Sequence, residues 1–437
     1  MASKIKFTKQ EKSWILYDWA NSVFATNMMA AIFPIYFGSI CAANGADNVV
    51  LWSYGTAVAT FIVALLAPVL GSVGDYSGMK KKLFSVFLVL GVGCTFANAF
   101  VENYRMMLVG YVLSYIGFMG ANLFYDSFLT DVTTSERMDR VSAWGYAMGY
   151  IGGSTIPFLI SIAVLLLMDY SALSMKIVIT LTSLWWAVFS IPILKNVRQI
   201  HCVERPDTGI VKTAFVNLGH TARDIVKVRG VLLFMLAYFF YIDGVNTVIN
   251  ISTSYGSKLG LDTTGMILAL LVTQIVAVPF SILFARLADR IGSIRMIRIA
   301  ICIYFLICAI GFFMGYNIEQ NEGDPNALQL SQTLFWILAF CVGTVQGGIQ
   351  ALSRSYFGKL IPPSRSNEYF GFFDIFGKFA AVIGPVLVAA FTQLTGRNSI
   401  GVLSLMILFA MGWVILTVGG KHFRAAESEL AQAKTNS

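Results

Sequence analysis

Charged residues are scarce in this sequence: Asp, Glu, Lys and Arg make up 12% of its 437 residues, against about 25% in an average soluble domain. Hydrophobic residues make up 57%. This balance excludes a disordered chain and argues against a soluble enzyme. The six cysteines form no CxxC pair and no zinc-ligand spacing with histidine, so we expect neither a disulfide scaffold nor a metal site.

Signatures of ATP-driven pumps and of hydrolases are missing as well. The sequence contains no GxxxxGK[ST] phosphate loop, no HExxH and no GxSxG. Its three histidines, His201, His220 and His422, fall in segments that we expect outside the membrane. No set of convergent nucleophile and base is indicated, so we expect no enzymatic activity and no cofactor.

Long apolar runs are what the sequence has instead. A helix that crosses the ~30 Å hydrocarbon core needs about 20 apolar residues. The runs are continuous and do not alternate in polarity, which favours helices over barrel strands. We therefore predict an all-α membrane protein with twelve transmembrane helices. The runs fall at roughly 14–40, 50–74, 83–101, 106–130, 141–167, 175–194, 230–252, 264–288, 296–316, 332–357, 369–393 and 398–419.

Lysines and arginines predict the orientation and the division of the chain. Of the 31 bases, 26 fall in or next to the two termini and every second loop, counting Arg354 near the end of predicted helix 10. Because basic loops remain in the cytoplasm, both termini are predicted to be cytoplasmic. This also accounts for the net charge of +8 without a nucleic-acid partner. We expect a six-helix bundle over 1–194, a cytoplasmic loop over 195–229, a second bundle over 230–420 and a tail over 421–437.

Two loops repeat the same pattern, one in each predicted half. Each has an aspartate, a glycine three residues later and a base six residues later, at the predicted cytoplasmic end of the half's second helix. Two unrelated tight turns with helix caps would give part of this pattern. The matched positions in both halves favour an internal repeat. The first copy contains Gly71, Asp75, Gly78 and Lys81, and the second contains Asp289, Arg290, Gly292 and Arg295.

The repeated loop resembles the signature G-x-x-x-D-[RK]-x-G-x-[RK]-[RK] of the major facilitator superfamily. The first copy departs from it at Tyr76, and the second has Ala285 in place of glycine. The resemblance implies two pseudo-symmetric six-helix halves that alternate between inward-open and outward-open states. It also implies that these loops latch the cytoplasmic side.

Longer segments in both halves also follow a known pattern. They include SWILYDWANSVF near the start, NLFYDSFLTDV (122–132), AYFFYIDGVNT (237–247) and EYFGFFDIFGKFAAVIGP (368–385). These segments resemble one family in that superfamily, the vacuolar amino-acid effluxers, which includes the autophagy-related effluxer of yeast and many bacterial relatives. This resemblance implies a solute carrier of the cell membrane. Amino-acid efflux is attributed to fungal members, whereas the substrate of bacterial members is mostly unassigned.

Four ionisable residues lie in predicted helices 1, 4, 7 and 10, which line the central cavity in the superfamily: Asp18, Asp126, Asp243 and Arg354. A charge in a span costs at least about 2.5–3.5 kcal/mol, so each needs a reason. Asp243 lies about 21 Å along its helix from Arg229, near mid-membrane. It is either a proton-coupling residue or a permanently hydrogen-bonded structural aspartate.

The other three residues lie near the predicted cytoplasmic ends of their helices. Three interpretations of Asp18, Asp126 and Arg354 stay open. The three side chains form a charge network that closes the cytoplasmic gate, or they extend their charged ends to the membrane interface. Alternatively, Arg354 binds a substrate carboxylate. Deeper neutral side chains that could bind a zwitterion, or merely join helices, are Asn27, Asn122, Asn246, Gln346 and Gln350.

We therefore expect a proton-coupled secondary transporter that acts as a monomer on an amino acid or similar zwitterion. Two alternatives stay open: a lipid-like or peptide-derived substrate, and a sensor or intramembrane enzyme on the same fold. The loops leave no room for the added soluble domain that a sensor usually carries.

Overall fold

In the computed structural model, the described residues are 6–205 and 209–435. Within them, all regular structure is helical apart from one isolated bridge between Tyr76 and Val203. Small parts of the predicted amino terminus, central loop and tail (1–5, 206–208 and 436–437) lie outside the described residues.

The first half of the chain forms six long helices followed by a shorter one. Each long helix is apolar and long enough to cross a membrane. Their bounds are Lys9–Ala43 (α1), Asn48–Gly74 (α2), Met79–Asn98 (α3), Tyr104–Val132 (α4), Met138–Leu167 (α5) and Ala172–Asn196 (α6). Ile210–Lys227 (α7) follows within the predicted central loop.

The second half repeats the pattern with one difference. The eleventh predicted span is divided into two shorter helices, so eleven helices in the described part of the chain meet the length and apolarity of a full span. The all-helical fold with two sets of spans is confirmed. The bounds are Arg229–Lys258 (α8), Thr263–Ile291 (α9), Ser293–Gln320 (α10), Pro325–Leu360 (α11), Ser366–Phe379 (α12), Ile383–Thr395 (α13), Asn398–Val418 (α14) and Gly420–Thr435 (α15).

Polar side chains cap the amino ends of several helices. Thr8 accepts a hydrogen bond from the Glu11 nitrogen, and the Glu11 carboxylate accepts one from the Thr8 nitrogen. Such a reciprocal capping box satisfies two main-chain donors that have no partner within the helix. Asp47 and Asp262 cap α2 and α9 in the simpler way, each accepting one main-chain hydrogen bond.

Helices α1 and α5 each contain a π-helical stretch, at Ala25–Ala31 and Tyr150–Thr155. The two helices pack closely, because a Cβ at Gly152 or Gly153 would overlap Trp19 or Ser22 on α1. These glycines allow the close approach that small residues give membrane helices.

The chain divides into two compact units. One comprises the described residues up to Ala222 together with Pro362–Asp374, and the other comprises Arg223–Ile361 together with the residues from Ile375 onwards. The start of α12 therefore packs with the first unit, although it lies late in the sequence. The bundle boundaries at 194, 230 and 420 remain predictions.

Candidate functional site

Asp75, in the first copy of the repeated loop, directly follows α2. Asp75 is 3% exposed, and its carboxylate accepts three hydrogen bonds from the start of α12. Asn367 donates through its main-chain nitrogen (2.9 Å) and its side-chain amide (2.8 Å), and the Glu368 nitrogen donates to the other oxygen (3.0 Å). An anion at unpaired helix amides also interacts favourably with the helix dipole. Asp75 therefore caps α12.

Two glycines of this loop are required by its geometry. A Cβ at Gly71 would overlap the main-chain oxygen of Asn367, so only glycine lets α12 approach this closely. Gly78 has φ +70°, in the left-handed region that glycine adopts without strain. The two glycine positions thus serve the contact with α12 and the turn into α3.

The protonation of Asp75 is affected by its surroundings. Burial raises the pKa of the Asp75 carboxyl to about 7, against the opposing influence of Lys80 and of the hydrogen bonds from Asn367 and Glu368. A carboxyl whose pKa is raised by folding contributes stability at acidic pH, and that contribution is lost as the pH rises through the folded-state value. The loop is therefore expected to weaken around neutral pH.

The buried base of this loop is Lys80 and not the predicted Lys81. The Lys80 ammonium lies 2.7 Å from a carboxylate oxygen of Asp131, and both side chains are 0% exposed. It also donates to the Ser366 hydroxyl at 3.0 Å, next to the start of α12. Lys81 instead donates to the main-chain oxygen of Val197 at 2.9 Å. The motif spacing pointed to Lys81, and nothing in the sequence pairs Lys80 with Asp131.

The first residues of the central loop pack on the same site. The second oxygen of Asp131 accepts hydrogen bonds from the main-chain nitrogens of Ile200 (3.0 Å) and His201 (2.8 Å). The side-chain amide of Gln199 accepts a hydrogen bond from the main-chain nitrogen of Lys80 and donates one to the main-chain oxygen of Gly74. This short segment therefore holds the end of α2 and the start of α3 together.

The central loop also contributes a helix. Three residues of α7 are buried, namely Ala214, Thr221 and Ile225. Asn217 donates to the Tyr76 hydroxyl at 3.3 Å, and Arg365 donates to the Thr221 hydroxyl. Tyr76, the departure from the superfamily pattern, thus contacts α7.

The second copy of the loop lies at the end of α9. Asp289 and Arg290 belong to this end and Arg295 to the start of α10, and all three are exposed. Gly292 has φ +93° and makes the turn between these helices.

Asp243, the predicted mid-membrane carboxylate, is 0% exposed. Both of its carboxylate oxygens lie 3.0 Å from the main-chain nitrogen of Gly384, and Thr247 donates to it at 3.3 Å. Gly384 belongs to the first turn of α13, the second piece of the divided span. Of the two readings of Asp243, the structure thus provides the hydrogen-bonded arrangement, and a role in proton coupling stays a prediction.

The neutral polar candidates have different surroundings. The Asn27 side chain donates to Ser161 and Thr182 at 2.9 Å each, inside the first unit. Asn122 accepts from Asn21 at 2.5 Å. Gln346 is buried, whereas Asn246 and Gln350 are half-buried.

The proposed gate residues are also distributed over several helices. Asp18 is half-buried and accepts a hydrogen bond from the Tyr125 hydroxyl at 2.7 Å. Asp126 is half-buried, and Arg354 is buried. A charge network of these three residues stays a prediction.

Comparison with solved structures identifies the fold. The chain superposes on the proton:xylose symporter XylE with a TM-score of 0.65 and 12% identity, covering 93% of each chain. It superposes on a bacterial homologue of the iron transporter ferroportin with a TM-score of 0.63 and 12% identity, covering 96% of this chain and 98% of the other. The chain therefore has the fold of the major facilitator superfamily.

Sequence comparison identifies the family. The family model described as vacuole effluxer Atg22-like matches residues 48–133 and 130–421. An uncharacterised transporter of the major facilitator type, YxiO of Bacillus subtilis, is 46% identical over 94% of this chain and 95% of its own length. Autophagy-related protein 22 of Cryptococcus neoformans is 27% identical over 66% of this chain, and the match spans 53% of the fungal protein. The chain belongs to the vacuole effluxer Atg22-like family.

Proposed function

We propose that this transporter moves a small zwitterion, most simply an amino acid, across the cell membrane by proton-coupled alternating access. The observation that carries the proposal is the contact between Asp75 and the start of α12. It joins parts of the chain 292 residues apart through polar bonds at a helix terminus. Such bonds can be broken and remade without loss of either helix, as a cycling transporter requires.

The contact is the latch in this proposal. In the predicted orientation, the Asp75 loop lies on the cytoplasmic side, where it closes the inward pathway when α12 is capped. Lys80 and Asp131 keep the loop in place, and the segment Gln199–His201 attaches the central loop to it. Opening the pathway then requires that the three hydrogen bonds from α12 to Asp75 break.

The proposed substrate class rests on family membership and on the polar side chains of the spans. The family model describes vacuole effluxers, and the fungal relatives are autophagy-related proteins. A zwitterion needs donors for its carboxylate and acceptors for its amine, which Asn and Gln side chains both supply. Asn246 and Gln350, both half-buried, are the first candidates. Asn27 already bonds two hydroxyls, and this favours a role in joining helices.

The proposal further assigns cytoplasmic termini, a monomeric carrier and protons as the coupling ion. Because proton coupling needs a carboxylate that can change its charge within the span, Asp243 is the residue assigned to it.

A thermal-shift screen of the purified protein tests the substrate class. A ligand at a hundredfold excess over its Kd stabilises the folded protein by about 2.7 kcal/mol. We expect at least one amino acid to raise the melting temperature, and Asn246→Ala or Gln350→Ala to reduce that rise. Stabilisation by lipid-like solutes alone would refute the zwitterion assignment, and stabilisation by short peptides alone would refute the amino-acid assignment.

A further inference from the structure

The span that contains α12 and α13 is broken near its middle. α12 ends at Phe379 and α13 begins at Ile383, so the first amides of α13 have no partner in a preceding turn. Pro385 follows in the first turn of α13, where its ring is tolerated, whereas a continuous helix would bring the ring against the carbonyl four residues earlier. The sequence Gly384–Pro385 therefore favours a break at this point.

Asp243 caps the second piece. Both of its oxygens lie 3.0 Å from the Gly384 nitrogen. A Cβ at Gly384 would overlap the Thr247 hydroxyl and lie 2.9 Å from an Asp243 oxygen, so only glycine fits between α8 and α13. The cap is thus a close contact inside the second unit.

In the described part of the chain, no cationic side chain neutralises the Asp243 carboxylate. Its hydrogen-bond partners are Gly384 and Thr247, and no described cationic side chain forms an ion pair with it. Of the helices packed against α8 in this region, α13 and α14 contain no acidic or basic residue. The charged residues of α11 are Arg354 and Lys359. Glu368, Asp374 and Lys378 are those of α12.

The two pieces of the broken span are capped in the same way. Asp75 accepts hydrogen bonds from the first amides of α12, and Asp243 accepts one from the first turn of α13. The division between the two compact units falls within α12, at Asp374. The same broken span is therefore capped by Asp75 at its start and by Asp243 at its break.

We propose that Asp243 is a positioning residue that holds the break in this span, so that loss of its charge loosens α13 and, through the shared span, the latch at the start of α12. A charge-assisted hydrogen bond is about twice as strong as a neutral one, so a neutral side chain at 243 caps α13 less well. This inference rests on the proposed function only in treating Asp243 as the residue that takes up the proton.

Hydrogen exchange followed by mass spectrometry on the full-length protein in detergent tests the inference without any substrate. We compare the wild type with Asp243→Asn, which mimics the protonated acid, and Asp243→Ala, which removes the cap. We expect the amides of segment 383–386, which are those of Ile383, Gly384 and Val386 because Pro385 has no N–H, to exchange roughly threefold faster in the first variant and roughly tenfold faster in the second. Amides 366–370 at the latch accelerate in both.

The matched control is Asp262→Ala, which removes the cap of α9. It leaves amides 366–370 unchanged if the proposal is right. Acceleration confined to 383–386 in the Asp243 variants would overturn the link between break and latch. Unchanged exchange at 383–386 would overturn the cap itself. Gly384→Ala, which retains the Asp243 charge, should accelerate both segments, because its Cβ forces α13 away from α8.

Transport distinguishes this inference from the proposed function. If Asp243→Asn accelerates both segments but retains proton-driven uptake, the link between break and latch is supported and the assignment of proton coupling to Asp243 fails. If uptake is lost but amides 366–370 do not change, the assignment of proton coupling survives and the link between break and latch is refuted.

Discussion

Replacing Lys80 by methionine should destabilise the protein severely. The ammonium of Lys80 and the carboxylate of Asp131 are 2.7 Å apart, and both side chains are fully buried. Methionine retains most of the apolar stem but leaves the Asp131 carboxylate without its counter-charge. Removing one partner of a buried ion pair costs about 3–5 kcal/mol, because the remaining charge is left uncompensated.

This loss of stability corresponds to a lower melting temperature. For domains of about 150–250 residues, each kcal/mol shifts the melting temperature by about 2–4 °C, so Lys80→Met should lower it by roughly 6–20 °C. Intrinsic fluorescence of the purified protein during heating measures this shift. The double variant Lys80→Met/Asp131→Asn removes the orphan charge and should recover at least half of the loss.

The adjacent lysine offers a matched control. Lys81 is half-exposed and makes one hydrogen bond to the main-chain oxygen of Val197, so Lys81→Met should cost only about 1 kcal/mol. A stabilising role of the Lys80–Asp131 pair is excluded if Lys80→Met melts within about 2 °C of the wild type, or if Lys81→Met lowers the melting temperature more than Lys80→Met does.

Three further results are expected. Because burial raises the pKa of Asp75 to about 7, the wild type should melt at a higher temperature at pH 6 than at pH 8, and Asp75→Asn should reduce that difference; an unchanged difference would exclude Asp75 as its source. Gly384→Ala should lower the free energy of unfolding by about 1–3 kcal/mol, measured by denaturant titration, because its Cβ has no room beside Thr247. Asn27→Leu should lower stability by about 1–3 kcal/mol and leave the KM for substrate unchanged, since Asn27 bonds Ser161 and Thr182; a raised KM would instead place Asn27 in the substrate site.

The fold could be predicted from the sequence because lipid imposes simple rules. Continuous apolar runs of about 20 residues have to be helical, and eleven of the twelve predicted spans correspond to full-length helices in the described residues. The repeated loop also identified Asp75, because the same spacing occurs twice. Asp243 could be singled out from the sequence for a different reason, because an aspartate near the middle of a predicted span is energetically costly.

What could not be predicted depends on partners that are distant in sequence. Lys80 and Lys81 are adjacent identical residues, and only the packing of α3 against α4 determines which of them meets Asp131. The break between α12 and α13 had a local signal in Gly384–Pro385. Pro68, Pro192 and Pro279 lie inside helices that stay continuous, so proline alone did not predict the break. The cap from Asp243 is the additional, long-range condition.

We expect this protein to transport a zwitterionic solute in exchange with or together with protons. Uptake of radiolabelled amino acids into proteoliposomes, measured with and without a pH gradient, is the test of this expectation. We predict saturable uptake that unlabelled substrate competes away and that collapses when the gradient is abolished. Flux no greater than in empty liposomes for every amino acid, under either direction of the gradient, would contradict the account.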